Sequence, residues 1–122
     1  MKKKKKRLGC YLRSYRRRWG FSQRELADIL GDRDRNFISR LESQKRQPKL
    51  KDAVALCVLF GMEPQELFPA LCTEIEDCAL TRAYDLYERL QGVKSNTNRM
   101  KLDFLEDVFE RAKRRRNGRT HA

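Results

Sequence analysis

The segment Ser22–Pro48, SQRELADILGDRDRNFISRLESQKRQP, decides how this chain is to be read. Ser22 followed three residues later by Glu25 is a capping-box pattern, in which the hydroxyl takes the Glu25 amide and the carboxylate reaches back. Leu26, Ile29 and Leu30 recur behind it at helical spacing as an inner stripe, and Gly31 stops the helix. Asp32 to Arg35 is a polar turn, and Asp34 is a good N-cap for a second short helix that buries Ile38, Leu41 and part of Phe37. The front of that helix carries Arg35, Asn36, Ser39 and Arg40. A short helix that is apolar behind and Arg/Asn in front suits the reading of base edges in a DNA groove.

Outward from this segment the pattern stays helical. Gly9 to Arg18 places Leu12, Tyr15 and Trp19 on one stripe, with Gly20 as the residue past the helix end and Phe21 to cover it. Lys45 to Pro48 is a basic exit loop. Lys51 to Phe60 is largely apolar and is expected to be the most buried element; Gly61 stops it. Pro64 opens a short fifth helix ending near Phe68, and Pro69 closes the unit. Five short helices in this span predict an all-α domain.

The second half differs in character. Between Ala70 and Gln91, Cys72, Ile75, Ala79, Ala83, Leu86 and Leu90 recur every three or four residues, the mark of a long amphipathic helix. That stretch holds five acidic and two basic side chains. Gly92 to Asn98 reads as a linker, and a last helix is predicted from Met100 to Arg116, ended by Asn117-Gly118. The predicted organisation is therefore a disordered basic arm (1–8), a DNA-binding domain (9–69), a helical extension (70–117) and a tail (118–122). A stripe longer than a five-helix domain needs makes Ile75, Ala79, Leu86 and Leu90 a candidate dimer face.

Composition agrees with a polyanion partner. The net charge of +12 is uneven: residues 1–69 carry 18 basic and 8 acidic side chains, whereas residues 70–122 carry 11 and 9. Lys2 to Arg7 forms a charge run suited to non-specific phosphate contact. Cys10, Cys57, Cys72 and Cys78 lack CxxC spacing and the single histidine is His121, so neither a zinc site nor another cofactor is expected. Four scattered thiols in an Arg-rich helical chain fit a reducing compartment, hence a cytoplasmic, nucleoid-associated protein. No apolar run reaches the roughly 18–20 residues that span a membrane, and no hydrophobic stretch follows the basic start as a signal peptide requires. An enzyme is not expected: the chain has no usable histidine, no glycine-rich phosphate loop and no paired nucleophile and base.

From Leu12 to Phe68 the chain resembles the lambda-repressor-like (xenobiotic-response-element-like) helix-turn-helix family. The matching residues are Arg16, Gly20, Ser22-Gln23, Leu26-Ala27, Leu30-Gly31, Ile38-Ser39-Arg40-Leu41-Glu42, Lys45-Arg46, Pro48, Gly61 and Glu66-Leu67-Phe68. The resemblance implies a compact five-helix DNA-binding domain, here followed by two C-terminal helices. It implies that the third helix enters the major groove with Arg35, Asn36 and Arg40 at base-reading positions and Ser39 against the groove. It further implies phosphate contacts from Gln23, Arg24, Lys45 and Arg46, a structural ion pair between Arg16 and Glu42, and a homodimer on inverted half-sites. Ala27 lies where the second and third helices cross.

Two departures bear on function. The turn after Gly31 is one residue longer than the family's commonest form, which brings Arg33 toward DNA as a further candidate base reader. Gln44 stands where the family favours a glycine at positive φ, predicting a strained or rebuilt exit loop. The expected function is sequence-specific double-stranded DNA binding in transcription regulation. The alternatives are an antitoxin-like subunit that binds a protein partner and its own promoter, and a basic RNA-associated factor using the arm and the Arg13 to Arg18 face.

Overall fold

The computed structural model describes residues 8–120, with side chains to Gly118. The expected basic arm falls almost wholly outside these residues, as does His121. The described chain is all-helical, and the compact units divide after Ile75.

In the first unit, α1 (Leu12–Arg18) is anchored at its start by the Tyr11 amide, which donates to the Leu67 carbonyl at 2.9 Å. Leu12 is fully buried and Tyr15 packs against Phe60. Gly20 takes a positive φ, and the Gly20 and Phe21 amides satisfy the carbonyls of Arg17 and Arg16 in a Schellman cap. Trp19 therefore lies past the last helical turn and is exposed, rather than continuing the stripe.

The second helix, α2 (Gln23–Leu30), opens with both capping-box bonds formed, at 3.0 and 2.8 Å. Its buried face is Leu26, Ala27 and Leu30. Ile29, expected inside, is half exposed: at 100° per residue it sits off the arc centred between Leu26 and Leu30, and Ala27 takes the inner place. Ala27 keeps α2 close to α3 (Arg35–Glu42), whose N-cap Asp34 accepts from the Phe37 amide at 2.9 Å.

At the end of α3 the expected departure takes a definite form. Gln44 holds φ 62, its amide donates to the Leu41 carbonyl, and the Lys45 amide donates to the Arg40 carbonyl. This is the Schellman arrangement with glutamine where glycine is usual, so the loop keeps its path and carries the strain. The Gln44 carboxamide lies on Gly9, where any Cβ would collide with it.

The apolar helix α4 (Leu50–Phe60) is not the most buried element. Only Asp52 and Leu56 are buried, while Leu50 is 81% and Val58 78% exposed. A helix on the edge of a small domain buries one arc, however apolar its remainder. The short α5 (Pro64–Leu67) places Leu67 and Phe68 in the core.

Pro69 opens α6 (Pro69–Leu90) rather than merely closing the domain. The first turns of α6 belong to the first unit, with Leu71 and Cys72 against its core and the Ala70 amide bonded to the Gly9 carbonyl. In the second unit the remainder of α6 and α7 (Asn96–Thr120) form a hairpin. The linker is shorter than expected, because Ser95 caps α7 and buried Asn98 donates to the carbonyls of Leu90 and Val93, closing α6. The last helix also runs through Asn117-Gly118, a pair whose identity predicts a helix end. Tyr84, Tyr87 and Phe109 cluster between the two helices, and the Tyr87 hydroxyl donates to Glu106 at 2.7 Å.

Candidate nucleic-acid interface

The front of α3 is built by its back. Phe37, Ile38, Leu41 and Glu42 are buried, which turns Arg35, Asn36 and Arg40 outward and leaves Ser39 half-buried between them. Because side chains 100° apart repeat at i, i+4 and i+5, these four occupy one continuous face.

That face is braced by a polar network centred on Glu42. Arg16 Nε and Nη2 donate to its carboxylate at 2.5 and 3.1 Å, Arg13 Nε at 3.3 Å and Gln23 Nε2 at 3.1 Å. Burial alone pushes the Glu42 carboxyl up, but the Arg16 and Gln23 hydrogen bonds, the Arg16 charge and the Arg13 bond together hold it below its ordinary value. Gln23 also faces forward: its Oε1 accepts from Arg35 Nε at 3.4 Å. The amide thus joins the buried ion pair to the first residue of the presented face. Gln23, expected at phosphate, uses its side chain as this bridge; its backbone remains at the start of α2.

Arg33 is placed differently from its neighbours. Its guanidinium donates twice to Asp52, at 3.3 and 3.0 Å, and lies 4.3 Å from the Phe37 ring centroid. Asp52 has 0% exposure and accepts a further bond from the Lys49 amide at 3.3 Å. Arg46, expected at phosphate, sets its guanidinium 4.9 Å from the same ring. Both cations are therefore engaged with the body of the domain. Asp52 is a functional support that sequence reasoning missed. An acid in the first turn of an apolar helix reads as a simple helix-start residue, and only the fold brings Arg33 to it.

The cations left outward are Arg24 on α2, Arg35 and Arg40 on α3, and Lys45 after it. Arg17, not singled out in the sequence, borders the same open groove as Arg24, Arg35 and Asn36. The N-termini of α2 and α3 also open toward this groove, which favours anions there. Ile75, Ala79, Leu86 and Leu90 all lie on α6 and take no part in this face. Cys10 is buried with its Sγ against the Leu41 carbonyl, and burial raises its pKa. Among the described residues no cluster of His, Cys, Asp and Glu could hold a metal ion, and no helix is long and apolar enough to cross a membrane.

Residues 7–71, more than half of the chain, match a family described as a helix-turn-helix domain. No curated protein and no solved structure matches the chain.

Proposed function

Because the chain belongs to the helix-turn-helix domain family of DNA-binding, lambda-repressor-like proteins, we propose that it is a sequence-specific regulator of transcription that reads double-stranded DNA with α3. The observation that carries this reading is the single outward face formed by Arg35, Asn36, Ser39 and Arg40 over a fully packed back. Arg35 and Arg40 suit the O6 and N7 acceptors of guanine, and Asn36 suits the N6/N7 pair of adenine. Gln23 limits the rotamers of Arg35 before DNA arrives, which lowers the entropy lost on docking. Arg24, Arg17 and Lys45 take the phosphates on either side. Arg33 is left out of the reading set, since its guanidinium already serves Asp52. Such a protein works where the genome is, as a cytoplasmic, nucleoid-associated factor.

Selection of bound duplexes from a random pool tests the proposal. Wild type should return one motif, and Arg35→Ala should relax a single position by about 1–3 kcal/mol while leaving the others in place. A pool that emerges unenriched, or an Arg35→Ala variant with the wild-type motif at full strength, would overturn it.

A further inference from the structure

We infer that the α6–α7 hairpin is half of an intermolecular four-helix bundle, completed by a second copy of this chain about a twofold axis parallel to the hairpin. This stands independently of DNA recognition. Its starting point is an imbalance: from Glu76 to Gly118, Asn98 is the one buried residue among those described, so the hairpin encloses no core of its own. Two helices alone rarely form a stable unit, and bundles solve this by packing hairpin on hairpin.

The two sides of the hairpin differ. On one side Asp77 bonds Arg116, Tyr87 bonds Glu106, and a groove runs between Thr81-Asp85 and Glu110-Lys113. That side is polar. The helical period then places Ile75, Ala79 and Leu86 of α6 on the other side, together with Met100, Phe104 and Val108 of α7. Met100 is 71% and Phe104 63% exposed, with only the Arg111 guanidinium, 5.9 Å from its ring centroid, over Phe104. The α6 stripe legible in the sequence is thus half of a face; α7 supplies the rest.

Charge at the two edges of that face selects the occupant and the axis. The α6 edge carries Arg82 and Arg89, the α7 edge Asp103 and Asp107, and none of the four makes an ion pair among the described residues. The Tyr87–Glu106 bond sets the register, putting Arg89 level with the span between Asp103 and Asp107. An axis parallel to the hairpin lays α6 of one copy over α7 of the other at the same level. Arg89 then meets the partner copy's acidic edge, twice by symmetry. An axis across the hairpin would instead set arginine edge against arginine edge and acid against acid. The pattern is self-complementary in one arrangement and repulsive in the other.

Sedimentation equilibrium of the full chain at micromolar concentration should give a dimer mass. Phe104→Glu, a change at an exposed position, should leave helical circular dichroism intact and weaken association about a hundredfold, because the twofold repeats each loss. Arg89→Glu, and separately the Asp103→Lys/Asp107→Lys pair, should each weaken it by about tenfold or more. Mixed in equal amounts, these two charge variants should associate as a heterodimer with wild-type strength, since both edges are again complementary. A monomer mass for wild type, an unaffected Phe104→Glu dimer, or a mixture no tighter than its components would overturn the assignment.

Discussion

Glu42 shows how much one side chain can organise. Four donors on three other residues converge on its carboxylate, so removing it strands Arg16 in the interior and frees Gln23 and, through it, Arg35. Glu42→Gln should lower stability by about 3 kcal/mol, in the range for breaking a buried pair, and should reduce DNA affinity beyond that through a looser Arg35. The pH dependence has a fixed sign. The folded carboxyl titrates below its ordinary value of 4.5, so the stability it contributes is complete above that value and is lost as pH falls through the folded pKa. The difference in Tm between wild type and Glu42→Gln should therefore be full at neutral pH and close in acid. A constant difference across the acid limb would refute the role. Family resemblance implies an Arg16–Glu42 pair; the recruitment of Arg13 and Gln23 has no signature in the sequence, because it depends on where α1 and α2 meet α3. Arg33 and Asp52 make the same point more strongly, since the long turn alone suggests an arginine aimed at DNA. A double-mutant cycle on Arg33→Ala and Asp52→Ala should show coupling of about 1 kcal/mol or more, and a coupling near zero would remove the structural assignment of Arg33.

Helices are legible in the sequence where caps and period agree. Ser22-Glu25, Asp34 and Pro64 mark starts by local hydrogen bonding or ring geometry, and these act whatever the surroundings. Burial is less legible, because it depends on which arc of a helix finds a neighbour. Leu50 and Val58 belong to the most apolar helix of the first unit and yet face outward, a fact set by the edge position of α4 and by no local signal. Helix ends escape prediction where a tertiary bond replaces the expected punctuation: Asn98 closes α6 from within α7, and Asn117-Gly118 does not stop α7. Gln44 lies between these cases. Its identity predicts strain and its φ of 62 carries it, held in the Schellman bonds that fix the exit from α3. Gln44→Gly should relieve the left-handed conformation and stabilise the domain by about 1 kcal/mol, read as a Tm rise of several degrees. Gly9→Ala should do the opposite, since its Cβ would meet the Gln44 side chain. A lower Tm for Gln44→Gly would mean that the packing of Gln44 on Gly9 outweighs the backbone strain.

Across the whole chain, composition overstates how much positive charge faces a ligand. The net +12 points to a polyanion, but Arg13, Arg16, Arg33 and Arg46 spend their guanidinium groups on Glu42, Asp52 and Phe37. What remains on the described surface around α3 is a smaller set, in which Arg17 and Arg24 border the groove without facing the bases. Counterion release makes this division measurable. Deleting one phosphate-binding cation should reduce the slope of log affinity against log salt by about 1, equally for specific and random duplexes. Arg24→Ala and Arg17→Ala should both behave this way, weakening all sequences alike and leaving the selected motif unchanged. Arg33→Ala should lower Tm while its slope, measured well below the unfolding transition, stays at the wild-type value. Arg35→Ala should lose discrimination at one position. If Arg33→Ala flattened the slope as Arg24→Ala does, Arg33 would have to leave Asp52 on DNA binding, and the lengthened turn would be part of the interface after all.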